Sequence, residues 1–167
     1  KDDKGKIIFY QSRKILAEDG QKYLSKTLSD KTVCGMDKVS DICDTVFIFE
    51  GPIDSFFVKN GLGLAGINDG KSSITITQED QLDSLFYKKI WVFDNQWVDL
   101  AARSKTRLLL EEGETVFIWP RKYSDFKDLN ELCVCHHLDG IPTKFIKENS
   151  TQGKSAILKF NVMFGNQ

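Results

Sequence analysis

Residues 46–54 read Val46-Phe47-Ile48-Phe49-Glu50-Gly51-Pro52-Ile53-Asp54. The first four are β-branched or aromatic and show no polar alternation, which is typical of a strand covered on both faces. Pro52 suits the first turn of a helix, because the N–H that proline lacks would be unpaired there. The stretch therefore predicts a buried strand that leads directly into a helix, with Glu50 at the junction.

The same alternation continues along the chain. Further strand-like runs stand at residues 61–65, 90–93 and 115–119. Helices are predicted between the strands at residues 53–59, 78–87 and 97–112. This alternation favours an α/β fold with a mostly parallel four-stranded sheet flanked by helices. Ligands of such sheets bind beyond the carboxyl ends of the strands, so the polar residues there form the candidate site.

The two ends of the chain follow other patterns. Residues 1–44 are polar and mixed, and they predict a small α+β subdomain with a strand at residues 7–10 and a helix around residues 19–28. Residues 45–140 carry the alternating pattern. Residues 141–167 form a carboxyl-terminal extension with 4 basic residues and 1 acidic residue, which we expect to pack on the core.

Composition narrows the classes of protein to consider. The 167 residues are 41% hydrophobic, enough for a sizeable core. With 23 Lys and Arg against 24 Asp and Glu, the net charge is -1, which argues against a uniformly basic DNA binder. The longest apolar runs are far shorter than the roughly 18 residues of a membrane span. Four cysteines are too few for a disulfide scaffold, so we expect a reducing, cytoplasmic compartment.

Two carboxylates stand at predicted strand ends. Glu50 follows residues 46–49 and Asp94 follows residues 90–93. Neighbouring parallel strands would bring both to one edge of the sheet, with Asp54 one helical turn beyond Glu50. Oxygen ligands of this kind suit Mg²⁺. The alternative is that these acidic residues only complement the dipole of a helix start.

A third polar cluster follows the last of these strands and reads Lys127-Asp128-Leu129-Asn130-Glu131. Asp128 could cap the short helix that begins there, and Lys127 would then be an ordinary surface lysine. The functional alternative places Asp128 at the same sheet edge as the other carboxylates, with Lys127 facing a phosphate. The residues alone leave both interpretations open.

Three motifs at strand ends together resemble the Toprim domain that topoisomerases and primases share: Glu50-Gly51-Pro52-Ile53-Asp54, Asp94-Asn95-Gln96 and Lys127-Asp128-Leu129-Asn130. The resemblance implies a Rossmann-like sheet. It also implies that Glu50, Asp94 and Asp128 are catalytic and hold Mg²⁺, with the glutamate acting as acid, base or metal organiser. The usual Asp-x-Asp reads Asp-Asn-Gln here, so Gln96 would offer the metal an uncharged carbonyl oxygen.

The flanking segments are similar to those of bacterial-type primases. They read Gly5-Lys6-Ile7-Ile8-Phe9-Tyr10-Gln11-Ser12-Arg13, Lys22-Tyr23-Leu24-Ser25 and Val33-Cys34-Gly35-Met36. The first two motifs and residues 145–161 most resemble primases of tailed phages, especially T-even-like phages. The resemblance implies the catalytic core of a DNA primase, a DNA-directed RNA polymerase. Such an enzyme makes short RNA primers on single-stranded DNA by Mg²⁺-dependent nucleotidyl transfer during phage DNA replication, with Mn²⁺ as a substitute.

The resemblance also implies binding residues and partners. Residues that would contact template or nucleotide phosphates are Arg13, Lys22, Lys127 and Asn130. From residue type alone, Arg13 and Lys22 would be solvated surface charges. Expected partners are a single-stranded DNA template, nucleoside triphosphates, a replicative helicase and a zinc-binding module without a counterpart here; no membrane is expected. Residue 1 is Lys rather than Met, so we expect a fragment or a processed chain, acting in the host cytoplasm if viral.

Two other functions remain open at this point. A Toprim-type nuclease would use the same sheet edge to cut phosphodiesters. A non-catalytic nucleic-acid-binding module of the replisome would bind without chemistry, and Gln96 in place of the usual aspartate keeps this alternative open.

Overall fold

The computed structural model describes residues 4–15, 23–40, 42, 44–65 and 74–165. Near the amino terminus two short strands, β1 (Gln11–Arg13) and β2 (Tyr23–Ser25), pair antiparallel. A short 3₁₀ helix at Met36–Lys38 follows them. Strands β1 and β2 form a two-stranded ribbon that is separate from the main sheet in its strand pairing.

Among the described residues the main sheet has five strands, namely β3 (Thr45–Phe49), β4 (Gly61–Gly63), β5 (Lys88–Val92), β6 (Val116–Phe117) and β7 (Ser150–Thr151). Their order across the sheet is β4-β3-β5-β6-β7. The first four are parallel, and β7 pairs antiparallel with β6. The predicted α/β fold with a mostly parallel sheet is confirmed. The predicted number of strands was one too low, because β7 is a polar pair of residues without an apolar run.

Six α-helices of the described residues surround this sheet: α1 (Pro52–Ser55), α2 (Ile76–Asp83), α3 (Leu100–Glu111), α4 (Leu129–Cys135), α5 (Thr143–Glu148) and α6 (Lys154–Phe164). Pro52 occupies the first turn of α1, as predicted. The side chain of Asp99 accepts a hydrogen bond from the N–H of Ala102 at 2.9 Å. Because this cap starts the helix at residue 100, α3 begins three residues later than the pattern predicted.

The core lies on both faces of the sheet. Along β3, Val46 and Ile48 belong to the cluster that includes residues of α2, α3 and α6. Phe47 and Phe49 belong to the cluster that includes residues of α4 and α5. All four side chains are buried. Alternate residues of a strand point to opposite faces, so an unbroken apolar run is what a sheet covered on both faces requires.

Two predictions for the amino-terminal segment are wrong. The strand expected at residues 7–10 lies at Gln11–Arg13, because Tyr23–Ser25 pairs with those three residues. The helix expected around residues 19–28 is absent from residues 23–28, which form β2 and then a turn; residues 19–22 lie outside the described residues. Strand formation depends on a partner elsewhere in the chain, and a local pattern does not report that partner.

Close packing of α1 on β4 requires glycine at position 63, where a Cβ would lie 2.4 Å from the Cα of Pro52. Gly63→Ala is expected to lower the free energy of unfolding by about 1–3 kcal/mol, the usual range for overpacking, as measured by urea denaturation. Gly51→Ala is the control, because a Cβ at Gly51 has no neighbour within 4 Å and its φ of -124° is extended. Equal losses in the two variants would contradict this prediction.

Candidate metal-binding site

Three aspartates from distant parts of the chain converge at the carboxyl edge of the sheet. Asp54 lies in α1, Asp94 follows β5, and Asp128 immediately precedes α4. One carboxylate oxygen of each lies within 4.8 Å of the other two. Strand pairing explains the convergence: Phe49 aligns with Val92, so the chain leaves β3 and β5 side by side. We refer to these three residues as the aspartate triad.

Asp54 is held toward α4 by the backbone. Its Oδ1 accepts a hydrogen bond from the N–H of Asn130 at 2.9 Å. Burial raises the pKa of Asp54 to about 6, and repulsion from Asp128 adds to the increase. The Asn130 hydrogen bond and the positive charge of Arg13 oppose it. The sequence places Asp54 one helical turn beyond Glu50 at this edge, although Asp54 is not among the predicted metal ligands; its position in the first motif is the available signal.

Asp94 carries the larger shift of the two. Burial raises its pKa to about 7, and repulsion from Asp54, Glu50 and Asp128 adds to the increase, in that order. Lys127 opposes the shift, with its Nζ 4.0 Å from Oδ2 of Asp94. Like charges are therefore crowded around Asp94, and a divalent cation would relieve the repulsion. Three carboxylates at this separation fit the oxygen ligands that Mg²⁺ prefers.

Asp128 caps a helix and also lies at the sheet edge, the two positions that the alternatives from its sequence context require. As the residue before α4, it accepts a hydrogen bond from the N–H of Glu131 at 2.7 Å and so caps the helix. It also contributes an oxygen to the aspartate triad. The helix cap thus holds the Asp128 side chain at the edge where the other two carboxylates lie.

Glu50 lies beside the triad and has a cationic partner. Its Oε1 lies 2.8 Å from Nζ of Lys105, which belongs to α3. Both side chains are partly buried. Together with the aspartate triad, Glu50 lines a small cavity of about 10 Å³, which is space for about one water molecule.

The expectation that Gln96 faces the metal is wrong. Gln96 is fully buried, and its Nε2 donates to Oγ1 of Thr106 and to the carbonyl of Phe117, both at 3.0 Å. Its Oε1 accepts a hydrogen bond from the N–H of Trp119 at 3.1 Å. Because the amide is engaged at both ends within the core, its oxygen is not offered to the sheet edge. Gln96 instead joins the loop after β5 to α3 and to the chain after β6.

Arg13 is an exposed residue of β1, and its positive charge acts on Asp54 of the triad. It lines a cavity of about 520 Å³ that also reaches Asp54. The walls of this cavity come from residues 8–13, residues 32–37 and the start of α1. Lys22, the other basic residue expected from this segment, lies outside the described residues.

The remaining two predicted binding residues lie at the third motif. Lys127 is exposed and reaches toward Asp94, which places a positive charge at the rim of the site. Asn130 is half-buried, and its contact with the site is the backbone N–H that it donates to Asp54.

No protein-family model matches the chain. The chain is 25% identical over 163 residues to the DNA primase of Enterobacteria phage T4, a match covering 94% of this chain and 44% of that protein. The crystal structure of the Aquifex aeolicus primase, comprising zinc-binding and RNA polymerase domains, matches with a TM-score of 0.65 and 18% identity. That match covers 95% of this chain and 41% of the other.

The chain has the fold of a primase domain. It spans less than half the length of each of these two proteins, and it is similar to DNA primases in sequence as well as in fold. Within the part of the chain that the structure describes, no helix is long and apolar enough to cross a membrane.

Asp94→Asn is expected to raise the thermal midpoint of the metal-free protein near pH 8. Its folded pKa of about 7 lies above the ordinary 3.8, so ionisation of Asp94 opposes folding. Protonation of Asp94 therefore favours the folded state. This contribution to stability is fully present below the unfolded pKa of 3.8 and is lost as the pH rises through about 7. The gain should be about 2–4 °C per kcal/mol of relieved repulsion, and it should vanish as the pH falls toward about 4.

These thermal midpoints are measured by differential scanning calorimetry, and the same measurement with added Mg²⁺ tests the site. Mg²⁺ is expected to raise the midpoint of the wild-type protein and to have little effect on Asp94→Asn, because a ligand stabilises the state that binds it. Glu111→Gln, which changes an exposed carboxylate on α3, serves as the matched control. A variant at Asp94 that loses stability near pH 8 and still responds fully to Mg²⁺ would overturn this account.

Proposed function

We propose that this chain is the catalytic core of a DNA primase that makes short RNA primers on single-stranded DNA by Mg²⁺-dependent nucleotidyl transfer. The observation that carries the proposal is the aspartate triad, which lies at the carboxyl edge of the sheet beside a cavity shared with Arg13. The similarity of the chain to DNA primases supports it. That similarity favours nucleotide addition over a Toprim-type nuclease and over a non-catalytic module of the replisome.

The residues that would hold the metal are Asp94 and Asp128, with Asp54 as the third carboxylate. When bound, Mg²⁺ would neutralise triphosphate charge and orient the attacking oxygen. Gln96 has no part in the site, so the triad takes its third oxygen from α1 rather than from the second motif.

Glu50 is the residue that we assign to proton transfer. In primer extension the 3′ oxygen forms a bond to the α-phosphorus, the bond to pyrophosphate breaks, and the hydroxyl proton must leave. Glu50 lies at the same edge as the triad, and the ion pair with Lys105 holds its carboxylate there. A positioned carboxylate is a suitable acceptor for that proton.

Phosphate contacts come from the basic residues around the triad. Arg13 would form a fork of hydrogen bonds to phosphate oxygens, and Lys127 would contribute a point charge. The cavity of about 520 Å³ beside Arg13 provides the space for template or nucleotide. Lys22 and the side chain of Asn130 keep the same role in the proposal on the basis of sequence.

In this proposal residues 1–44 are the partial amino-terminal subdomain and residues 45–140 are the Toprim core. Residues 141–167 are an extension of that core, and α6 packs against α3 through Ala156, Phe160 and Phe164. A replicative helicase and a separate zinc-binding module remain proposed partners. The affiliation with T-even-like phage primases belongs to the same proposal.

Glu50→Gln and Asp128→Asn are expected to reduce nucleotide joining by at least about 10²-fold, since each removes a charge from the reacting site. Asparagine also caps helices, so α4 should remain intact in Asp128→Asn. The measurement is incorporation of labelled nucleotides on single-stranded DNA, with helicase and zinc-binding module supplied. Full synthesis by either variant would refute the proposal, and metal-dependent cleavage of labelled DNA without nucleotide addition would favour the nuclease.

Lys105→Met tests the support of Glu50 separately from the triad. The ion pair is partly exposed and contributes only about 0–1 kcal/mol to stability, so the variant should fold normally. We expect kcat to fall about tenfold or more with little change in KM, because Glu50 loses its anchor. Lys105→Arg should retain most of the activity, and equal loss in both variants would show that the cation does not act through Glu50.

A further inference from the structure

We propose that Asn95 is a positioning residue that fixes the separation of Asp94 and Asp128 by joining the loops that carry them. The inference rests on the proposed function, because it concerns the metal ligands of that site. Asn95 occupies the middle of the second motif, between Asp94 and the buried Gln96. The sequence pattern assigned it no role.

All the polar atoms of the Asn95 side chain are engaged within the protein. The residue is fully buried. Its Nδ2 donates to the carbonyl of Tyr123 at 2.8 Å and to the carbonyl of Phe126 at 2.6 Å. Its Oδ1 accepts a hydrogen bond from the N–H of Trp97 at 3.0 Å, which closes the loop after β5 on itself. Two donors on one planar amide thus hold two carbonyls of the segment that leads to Asp128.

A backbone bond places this connection next to both ligands. The N–H of Asn95 donates to the carbonyl of Lys127 at 2.7 Å. Asn95 directly follows Asp94, and Lys127 directly precedes Asp128, so the bond joins the immediate neighbours of two carboxylates. The loops that it joins follow different strands, β5 and β6. We refer to the three side-chain hydrogen bonds of Asn95, together with this backbone bond to Lys127, as the Asn95 clamp.

The Asn95 clamp opposes electrostatic repulsion between the carboxylates of the triad. One carboxylate oxygen of each triad residue lies within 4.8 Å of the other two, so ionised carboxylates repel one another and favour separation of the loops when no cation is bound. The hydrogen bonds to the carbonyls of Tyr123 and Phe126 resist that separation, since breaking them would leave the fully buried Asn95 amide without these partners. The clamp therefore holds the two ligands at a separation suited to a cation before the cation arrives. Supporting groups of this kind typically change metal affinity by about 10–100-fold when removed.

The neighbouring Gln96 provides a matched comparison. Its amide is also fully buried and makes three hydrogen bonds, but to Thr106, Phe117 and Trp119 rather than to the loop of Asp128. Thr106→Val removes one partner of that amide while the Asn95 clamp is left intact. It therefore controls for the loss of a buried hydrogen bond close to the site.

The experiment compares the wild-type protein with Asn95→Ala, Asn95→Ser, Thr106→Val and Asp94→Asn, all below their thermal midpoints. The first readout is Mn²⁺ affinity, measured by electron paramagnetic resonance. We expect about tenfold or more weaker binding for Asn95→Ala, a smaller loss for Asn95→Ser, and wild-type affinity for Thr106→Val. The serine hydroxyl can donate to one of the two carbonyls, so Asn95→Ser keeps part of the clamp. This variant still tests the clamp if Asn95→Ala does not fold.

The second readout needs no metal. Amide hydrogen exchange at Asn130, whose N–H binds Asp54, should be faster in Asn95→Ala than in the wild-type protein and unchanged in Thr106→Val. In the wild-type protein the Asn95 amide should itself exchange slowly, because it is buried and bonded to Lys127. Fast exchange at the wild-type Asn95 amide would overturn the clamp without recourse to any variant.

The outcomes separate the clamp from the proposed function. If the wild-type protein binds Mn²⁺ and Asp94→Asn does not, the proposed metal site stands. The clamp alone is then overturned if Asn95→Ala keeps the wild-type Mn²⁺ affinity and the wild-type rates of amide exchange. It is also overturned if Thr106→Val loses as much Mn²⁺ affinity as Asn95→Ala does. If the wild-type protein fails to bind Mn²⁺, the proposed metal site fails, and the exchange rates still decide whether Asn95 holds the two loops together.

Discussion

Parallel pairing of β3 with β5 places the first two motifs side by side. The register aligns Phe49 with Val92, so Glu50 and Asp94 leave the sheet at the same edge. Both strands are covered by helices on both faces, and their apolar residues are buried. A register slip of one residue would turn each apolar side chain to the opposite face, so core packing maintains the alignment. The position of the candidate site thus depends on the same contacts that stabilise the sheet.

The edge of the sheet collects negative charge that Lys105, Lys127 and Arg13 offset only in part. Asp54 and Asp94 have raised pKa values because they are buried close to other carboxylates. Backbone and amide groups keep these residues in place: the N–H of Asn130 binds Asp54, and Asn95 joins the loops on either side. Hydrogen bonds thus hold mutually repelling carboxylates close together before a cation is bound. This arrangement is a preorganised site for a cation.

Gln96 shows that the role of a residue in a sequence motif depends on the partners of its side chain in the folded protein. Its Nε2 donates to the carbonyl of Phe117 and to Thr106, and its Oε1 accepts from Trp119. A carboxylate in this orientation would face the Phe117 carbonyl without a proton to donate, at the cost of an unpaired buried charge. An amide is therefore the group that this part of the core requires. In the proposed site the third carboxylate is that of Asp54.

The sequence by itself determined the α/β class, the buried strands at residues 46–49 and 90–93, and the meeting of Glu50 and Asp94 at one sheet edge. It could do so because an apolar run of strand length reports burial directly, and because parallel neighbours place their carboxyl ends together. The catalytic and binding roles of these residues stay predictions.

Only the tertiary structure decided which side chains pair. The Lys105 partner of Glu50 is 55 residues away in the chain, and the Asn130 partner of Asp54 is 76 residues away. The polar strand β7 and the displaced strand β1 likewise exist because a distant segment lies opposite them. Local periodicity records which face of an element is buried, whereas hydrogen-bond partners are selected by packing between segments that are far apart in sequence.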